Sequence, residues 1–431
     1  MSIFNFPLRQ HVGKEAEACV AIDDIVKRGQ PLAFAKTDEL SVPVHCSVNG
    51  IVREITASGI KIEENATDFH DYLPIREAPF LTMIRDAGIV GLGGAGFPTY
   101  AKLSKPIPGG TVIINAAECE PILCHNMGRI KKSAPEILEG LRIIMEQVQA
   151  RQGIIAIKKQ HSQEIALLQK AIGGQPVTLS LLPDLYPMGE ERAILREVLG
   201  TLLAPTELPL AANAIVINLE TVFRVYEAVR LKKPLIDKDL TIAGKITGNH
   251  QSSLIQVFLD QPLGISTDIL LQKAGGISDS YGELIAGGPF TGKRTTADQP
   301  LVKTTGAILV SECFPKGPEK IGLLVCACGA DEARLRELAA SLHSKVVDVE
   351  FCKQATPLRG TRKCENPGHC PGQVQKILNL KKSGAAGVLI SNCNDCSNTV
   401  MSCAPKLGLK VYHCTDQALR SVNLLLIRKM K

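Results

Sequence analysis

The spacing of apolar positions changes character three times along this chain, giving four regions. Up to about residue 78, apolar residues come in short runs broken by turn residues. Val26-Lys27-Arg28-Gly29-Gln30-Pro31-Leu32 and the run from Val44 to Val52 read as strands joined by glycine turns. From Pro79 to about Ile236, buried strand-like runs alternate with helical periodicity. That pattern predicts strands over 111–116, 153–157, 177–182 and 214–218. It predicts helices over 80–87, 134–150 and 190–198, and from the end of the last strand through Val229. Such alternation implies an α/β sheet covered by helices. From Leu240 to about Val310 short strands return, punctuated by Gly264, Gly275, Gly276, Gly282, Gly287 and Gly288. After Lys320 a second α/β pattern begins, with strands over 321–325, 345–351, 386–391 and 410–412 and helices over 331–342 and 373–382. A chain of 431 residues is too long for one ordinary core. The expected division is therefore 1–78, 79–236, 237–318 and 319–431, a multidomain α/β plus β protein.

Composition narrows the function classes. Hydrophobic content of 45% with 21% charged residues is that of a folded protein. Aromatic residues make up only 4% and tryptophan is absent, which argues against the repeated ring stacking of a nucleic-acid reader. The net charge of +6 is spread in short pairs such as Lys131-Lys132 and Lys381-Lys382, the pattern of solvated helix faces. A mildly basic surface still suits an acidic redox partner. No apolar run reaches the length of a membrane span and the start MSIFNFPLRQ lacks a signal-peptide core, so a cytoplasmic location is expected. In that reducing setting fourteen cysteines are not expected to form structural disulfides. Nine of the fourteen follow residue 325, which points to one local site.

The strongest local signal is Gly91-Leu92-Gly93-Gly94-Ala95-Gly96-Phe97-Pro98-Thr99. Gly91, Gly93 and Gly96 satisfy G-x-G-x-x-G, but the preceding residues read as a helix ending at Gly88. A dinucleotide fingerprint needs a strand there, so the ordinary Rossmann assignment fails. Bare glycines nevertheless let backbone N–H groups approach a phosphate or a flat ring. Three further segments place polar groups at strand ends or helix starts: Asn115 to Pro121, Tyr186 to Glu191 and Asn218 to Thr221. The strand ends of a parallel sheet share one edge, where ligands bind. Glu190 and Glu191 also suit a plain helix N-terminus.

Together these four segments closely resemble the flavoprotein of complex I and the RnfC protein of the Rnf complex. Gly91 to Thr99 with Lys102 is similar to that family's G-x-G-G-A-G-F-P-T-x-x-K loop, and Asn115 to Pro121 to its N-A-x-E-x-E-P strand end. Gly189-Glu190-Glu191 and Asn218 to Thr221 are similar to its G-E-E and N-x-E-T segments. The resemblance covers about the first 310 residues. It implies FMN against Gly91, Gly93, Gly94, Lys102, Asn115, Gly189, Glu190, Asn218 and Thr221, with Gly96 in the same cofactor-binding loop. It also implies NADH over Gly94, Ala95, Phe97 and Lys102, with Glu120 and Glu191 serving its reaction. Hydride transfer from nicotinamide to flavin and single-electron release would follow. Ala117 departs from the complex I pattern, which has an acid there, and residues 122–129 depart from the Rnf pattern.

Two flanking units carry their own resemblances. The first looks like the barrel-sandwich hybrid of biotinyl and lipoyl carriers, but the turn Ser47-Val48-Asn49-Gly50 has no lysine to modify, so a carrier role is not expected. The third looks like an SLBB β-grasp module.

Each predicted C-terminal strand is followed by sulfur: Cys326 and Cys328, then Cys352, then Cys393 and Cys396, then His413 and Cys414. If the strands are parallel, these groups meet on one edge. Cys364 and Cys370 lie in the connecting loop. Cys326, Cys328, Cys352, Cys393 and Cys396 are therefore expected around one centre: iron–sulfur, with structural zinc or a redox dithiol as alternatives. The run C-x2-C-x2-C-x3-C-P of the usual RnfC protein is absent. The strand-end pattern looks like the small iron–sulfur protein that links hydrogenase to heterodisulfide reductase. The whole combination most resembles the proline reductase-associated electron transfer family. That resemblance implies a partner reductase of amino acids and leaves room for peripheral association with a membrane complex. A cobalamin reductase and a non-redox assembly protein are the rival readings.

Overall fold

The computed structural model describes residues 2–66, 71–247, 254–358 and 360–428. At the N-terminus a four-stranded antiparallel sheet (Ile3–Pro7, Gly59–Ala66, Asn49–Ile55, Ile25–Val26) faces a three-stranded one (Glu17–Ala18, Pro31–Phe34, Val44–His45). Phe4, Phe6, Leu32, Val44, Val52, Ile60 and Ile62 are buried in its core. The strands expected over 26–32 and 44–52 are each two strands. Gly29 takes a left-handed φ of +87°, and the Gln30 N–H closes a turn on the Lys27 carbonyl. The Ser47–Gly50 tip is not displayed to solvent. The Ser47 hydroxyl donates to the Leu263 carbonyl, and Arg28 holds the Ser47 carbonyl while pairing with Asp237 at 2.6 Å. A modifiable carrier tip would have to swing free; this one is docked against the third unit.

The second unit is a parallel sheet in the order Val177–Leu182, Gln152–Lys158, Thr111–Ala116, Ala214–Asn218. The chain adds strands outward on one side of Thr111–Ala116, then returns to place Ala214–Asn218 on its other side. The crevice between those two strand ends is the topological switch point, the usual ligand position in such sheets. The helix expected over 134–150 begins earlier, at His125, and runs to Val148. Ser133 leaves helical geometry (φ −143°, ψ 36°) shortly before Pro135. Proline fits the first turn of the second helical stretch, so the pattern showed that start and hid the helix before the kink. A helix at Ser162–Ile172, not singled out from the sequence, covers the sheet between its strands.

The third unit is a mixed five-stranded sheet. Its centre is a parallel pair, Asp237–Gly244 with Ala307–Val310, and Asp237–Gly244 also pairs antiparallel with Ile255–Pro262. A short helix, Thr267–Lys273, connects the two halves. Buried charges fasten this unit to the second. Arg129 forks onto Asp239 at 2.6 and 2.7 Å, and Arg224 reaches the same carboxylate at 3.0 Å.

The fourth unit has four parallel strands in the order Lys345–Phe351, Lys320–Val325, Gly387–Ile390, Lys410–His413. Its strand ends share one edge. The segment between the second and third of these strands in the sequence also forms a hairpin, Ala355–Leu358 with Thr361–Cys364, that the sequence pattern did not announce. Among the described residues no helix is long and apolar enough to cross a membrane.

Candidate functional site

Side-chain and backbone contacts gather the four motifs around the switch-point crevice. Asn115 and Asn218 stand in register on neighbouring parallel strands. The Asn115 amide donates to the Gly189 carbonyl at 2.9 Å, and its oxygen accepts from Ala117 N at 3.1 Å. The Asn218 oxygen caps the following helix by accepting from Thr221 N at 3.2 Å. Thr221 in turn accepts from Leu92 N at 3.0 Å, pinning the glycine loop to that helix start.

The loop is a closed turn: Gly91 N bonds the Phe97 carbonyl at 2.9 Å and Val90 bridges Pro98. Its tip, Gly93 to Ala95, is exposed, as is Phe97. A Cβ on Gly93 would lie 2.5 Å from the Asn218 amide, whereas one on Gly94 would meet no atom within 4 Å. Gly96 is buried at φ +75°, so its glycine serves the backbone. Across the crevice, Lys102 and Glu191 form an ion pair at 2.5 Å, both partly exposed.

Several acids have structural duties. Glu190 is the helix N-cap, accepting from Arg192 N and Ala193 N at 2.9 and 3.0 Å. Glu118 accepts from Asn126 N at 3.1 Å at the start of the His125–Val148 helix. Glu120 is bound by the third unit, where Phe290 N, Thr291 N and the Thr291 hydroxyl donate to it at 2.8, 2.9 and 2.6 Å. Burial raises its pKa. Of the two acids expected near a nicotinamide, only Glu191 stands beside the loop's lysine.

Behind the crevice lies sulfur. Cys119 lies half-buried against Gly189, where a Cβ would come within 2.9 Å of its Sγ; desolvation pushes this thiol up to about 12. Next to it, Tyr186 stacks on Phe290 and donates its hydroxyl to the Cys328 carbonyl. The strand-end cysteines pack against these rings. Cys326 neighbours Cys352, Cys352 neighbours Cys396, and Cys396 neighbours Cys393, so that four buried thiols gather in one cluster at the strand ends. Cys328 neighbours Cys326 and Cys364. Contacts with Cys326 and Cys396, helped by the Gln373 amide, hold the Cys352 thiol below its ordinary range. All fourteen cysteines are free.

Sequence reasoning named Cys364 and Cys370 without placing them. The structure brings Cys364 against Cys328 and Cys370 against Cys396. It missed Gln373, whose amide donates to Cys352 at 3.1 Å and reaches Cys396 and Cys370 at 3.7 and 3.8 Å. Nothing in the pattern around Gln373 sets it apart from an ordinary helix start. Four soft thiol donors suit iron or zinc chemically. As packed they touch one another, and among the described residues no three His, Cys, Asp or Glu groups surround an ion-sized position.

Residues 84–227 match the Nuo51 FMN-binding domain, and residues 2–69 match the RnfC barrel sandwich hybrid domain. The RnfC-type component of the ion-translocating oxidoreductase complex of Serratia proteamaculans is 32% identical over 358 residues, covering 76% of this chain and 49% of that protein. Cobalamin reductase PduS of Salmonella typhimurium is 33% identical over 350 residues, covering 79% and 71%. The corresponding component of the Na(+)-translocating ferredoxin:NAD(+) oxidoreductase complex of Acetobacterium woodii is 31% identical over 340 residues, covering 73% and 74%. The chain thus spans about half the length of the first relative and nearly three quarters of the other two.

Proposed function

This chain belongs to the family of RnfC-type oxidoreductase components and PduS cobalamin reductases, and on that premise we propose that it is an FMN-dependent electron-transfer flavoprotein. In this reading it takes electrons from NADH and passes them through its C-terminal thiols to a partner reductase. The observation that carries it is the pair Asn115 and Asn218, in register at the switch point, with Asn218 against Gly93 and the next residue, Gly94, open.

The residues fit the flavin. The bare backbone of Gly91, Gly93 and Gly94 leaves room for a flat ring and its phosphate, and Lys102 supplies a cation beside that space. Asn115, Gly189, Glu190, Asn218 and Thr221 bring further polar groups to the crevice. A bound FMN supplies a ring that accepts an electron pair and releases electrons singly. The chain's own work is to hold that ring flat and limit water around it. Gly94, Ala95 and Phe97 form the open side on which a nicotinamide would lie, with Lys102 and Glu191 at its edge. Glu120 reaches that side only when its bonds to Phe290 and Thr291 open.

The sulfur centre in this reading is Cys326, Cys352, Cys393 and Cys396, with Cys328 joining from the side of Cys326. Iron–sulfur is the first assignment, because it matches single-electron release; zinc or a dithiol are the alternatives. We further read residues 237–318 as an SLBB β-grasp unit. The acceptor we read as D-proline reductase or a related amino-acid reductase, and the location as cytoplasmic or peripheral on a membrane complex.

Anaerobic purification tests the core of this reading. The expected result is one FMN per chain, bleached by NADH. A colourless protein would leave only an assembly role. The identity to PduS favours one further reading, reduction of cobalamin, which spectral conversion of a cobalamin by the NADH-reduced protein would establish.

A further inference from the structure

We propose that Gln373 is a positioning residue of the sulfur centre, and that its amide sets the reduction potential there. Gln373 is 1% exposed, and its Nε2 donates to the Cys352 Sγ at 3.1 Å. The same nitrogen lies 3.7 Å from the Cys396 Sγ and 3.8 Å from the Cys370 Sγ. A primary amide carries two N–H groups, so one serves Cys352 while the other faces the remaining sulfurs. Cys352 and Cys396 belong to the buried cluster that also holds Cys326 and Cys393. The inference rests on the iron–sulfur reading of that cluster.

The chain around Gln373 offers this side chain a different duty. It stands at the N-cap of the helix Val374–Lys382, with φ −121° and ψ 6°, yet makes no side-chain cap bond. Short residues such as serine and aspartate turn back onto the helix from that position. The longer glutamine reaches the sulfurs instead. Its Oε1 is buried and finds no hydrogen-bond partner among the described residues. An orphaned amide oxygen is costly, but rotating the amide would set that oxygen against sulfur lone pairs. The arrangement fits sulfurs that accept hydrogen bonds, as iron-bound thiolates do.

The donor is also held in place. Glu350, near the end of the strand Lys345–Phe351 that leads to Cys352, accepts from Lys376 at 2.7 Å and Asn379 at 2.6 Å. Ile377 and Leu380 bury the same helix against Leu324 and Val388 of the sheet. Strand and helix are thus tied together close to the bond between Gln373 and Cys352.

One electron added at these sulfurs makes them better acceptors, and the Gln373 N–H then stabilises the reduced form more than the oxidised one. The electron comes from NADH by way of the flavin and leaves to the partner reductase, as in the reading above. Hydrogen bonds to the sulfurs are among the levers that set such potentials. Losing one hydrogen bond to a charged group corresponds to about tenfold in the reduction equilibrium. For one electron that is a fall of about 59 mV.

The test uses the full chain, purified without oxygen, as the parent, Gln373→Leu and Gln373→Glu. Leucine deletes the donor; glutamate keeps the shape and puts an oxygen in place of the N–H. The visible sulfur-to-iron absorbance is followed through a dye-mediated dithionite titration, beside iron analysis of the same samples. The expected result is full iron in both variants and a midpoint potential lower by about 59 mV. An unchanged midpoint with full iron overturns the proposal and leaves the iron–sulfur reading standing. Loss of iron from both variants also overturns it, because the amide then holds the centre together rather than setting its potential. A parent without iron overturns the iron–sulfur reading, and this proposal with it.

Discussion

Tyr186 and Phe290 lie face to face, with ring centroids 3.6 Å apart and planes within 2° of parallel. One ring comes from the second unit and the other from the third. His413 of the fourth unit meets Phe290 edge-on at 5.3 Å. In a chain so poor in aromatics, three units share this one stack next to the thiol cluster. Tyr186→Ala should cost about 3 kcal/mol by the emptied space and speed alkylation of Cys326 and Cys352. Tyr186→Phe keeps the stack, loses one hydrogen bond and should cost about 1 kcal/mol. Denaturant unfolding and timed alkylation check both. Equal stability of Tyr186→Ala and the parent would show that the stack does not hold the units together.

Gly94 faces open space, so a side chain there is compatible with the apo fold. Gly94→Trp should leave the melting temperature near the parent's while flavin occupancy falls at least about tenfold, because the indole takes the space of the ring. Gly93→Ala is the contrast: its Cβ would press on the Asn218 amide at 2.5 Å, and should cost about 1–3 kcal/mol of stability as well. Full flavin content in Gly94→Trp would reject this crevice as the flavin site.

The Lys102–Glu191 pair is half-exposed, with side-chain accessibilities of 29% and 43%. An ion pair in that position contributes less than about 1 kcal/mol to stability. Glu191→Gln should therefore unfold like the parent and retain flavin. Its KM for NADH should rise about tenfold, the size of one charge-assisted hydrogen bond. Steady-state kinetics with an artificial acceptor would measure it; unchanged NADH kinetics would remove Glu191 from the nucleotide's edge.

Lys303 is fully buried where the first three units meet, donating to the carbonyls of Pro43 and Gly88, both at 2.8 Å. Among the described residues no carboxylate pairs with it, and burial lowers its pKa to about 7. Unfolded lysine titrates near about 10.4, so between these values the unfolded chain binds the extra proton. With the lowered folded value, the stability contributed at this site is smallest at and below about pH 7 and rises towards pH 10. Nearby His45 is held neutral by burial, at about 3, and does not titrate in that window. The difference in unfolding free energy between the parent and Lys303→Met should change with pH over this range by a few kcal/mol, at about 1.4 kcal/mol per pKa unit, in the parent's favour as pH rises. A difference independent of pH would mean that Lys303 keeps an ordinary pKa in the folded protein.

Local chemistry was legible from the sequence where a short segment carries its own geometry. The strands Thr111–Ala116 and Ala214–Asn218 end where their apolar runs end, because burial on a sheet depends on consecutive residues. The helix before the glycine loop was equally visible, and with it the failure of the Rossmann reading. The hairpin Ala355–Leu358 with Thr361–Cys364 was not, since its strands are short and only partly buried.

What the sequence determined by itself is the inventory: a glycine loop with no obstructing side chains, amides at two strand ends, and cysteines following the strands of the fourth unit. Parallel pairing then places them on shared edges. Only the tertiary structure decided which group faces which. Glu120 and Glu191 look alike in the sequence, yet packing of the third unit draws Glu120 onto Phe290 and Thr291 and leaves Glu191 to Lys102. Cys326, Cys352, Cys393 and Cys396, far apart in the sequence, gather in one buried cluster with Tyr186 and Phe290 for the same reason. Contacts between residues so far apart are set by the docking of whole elements, and no local periodicity encodes that.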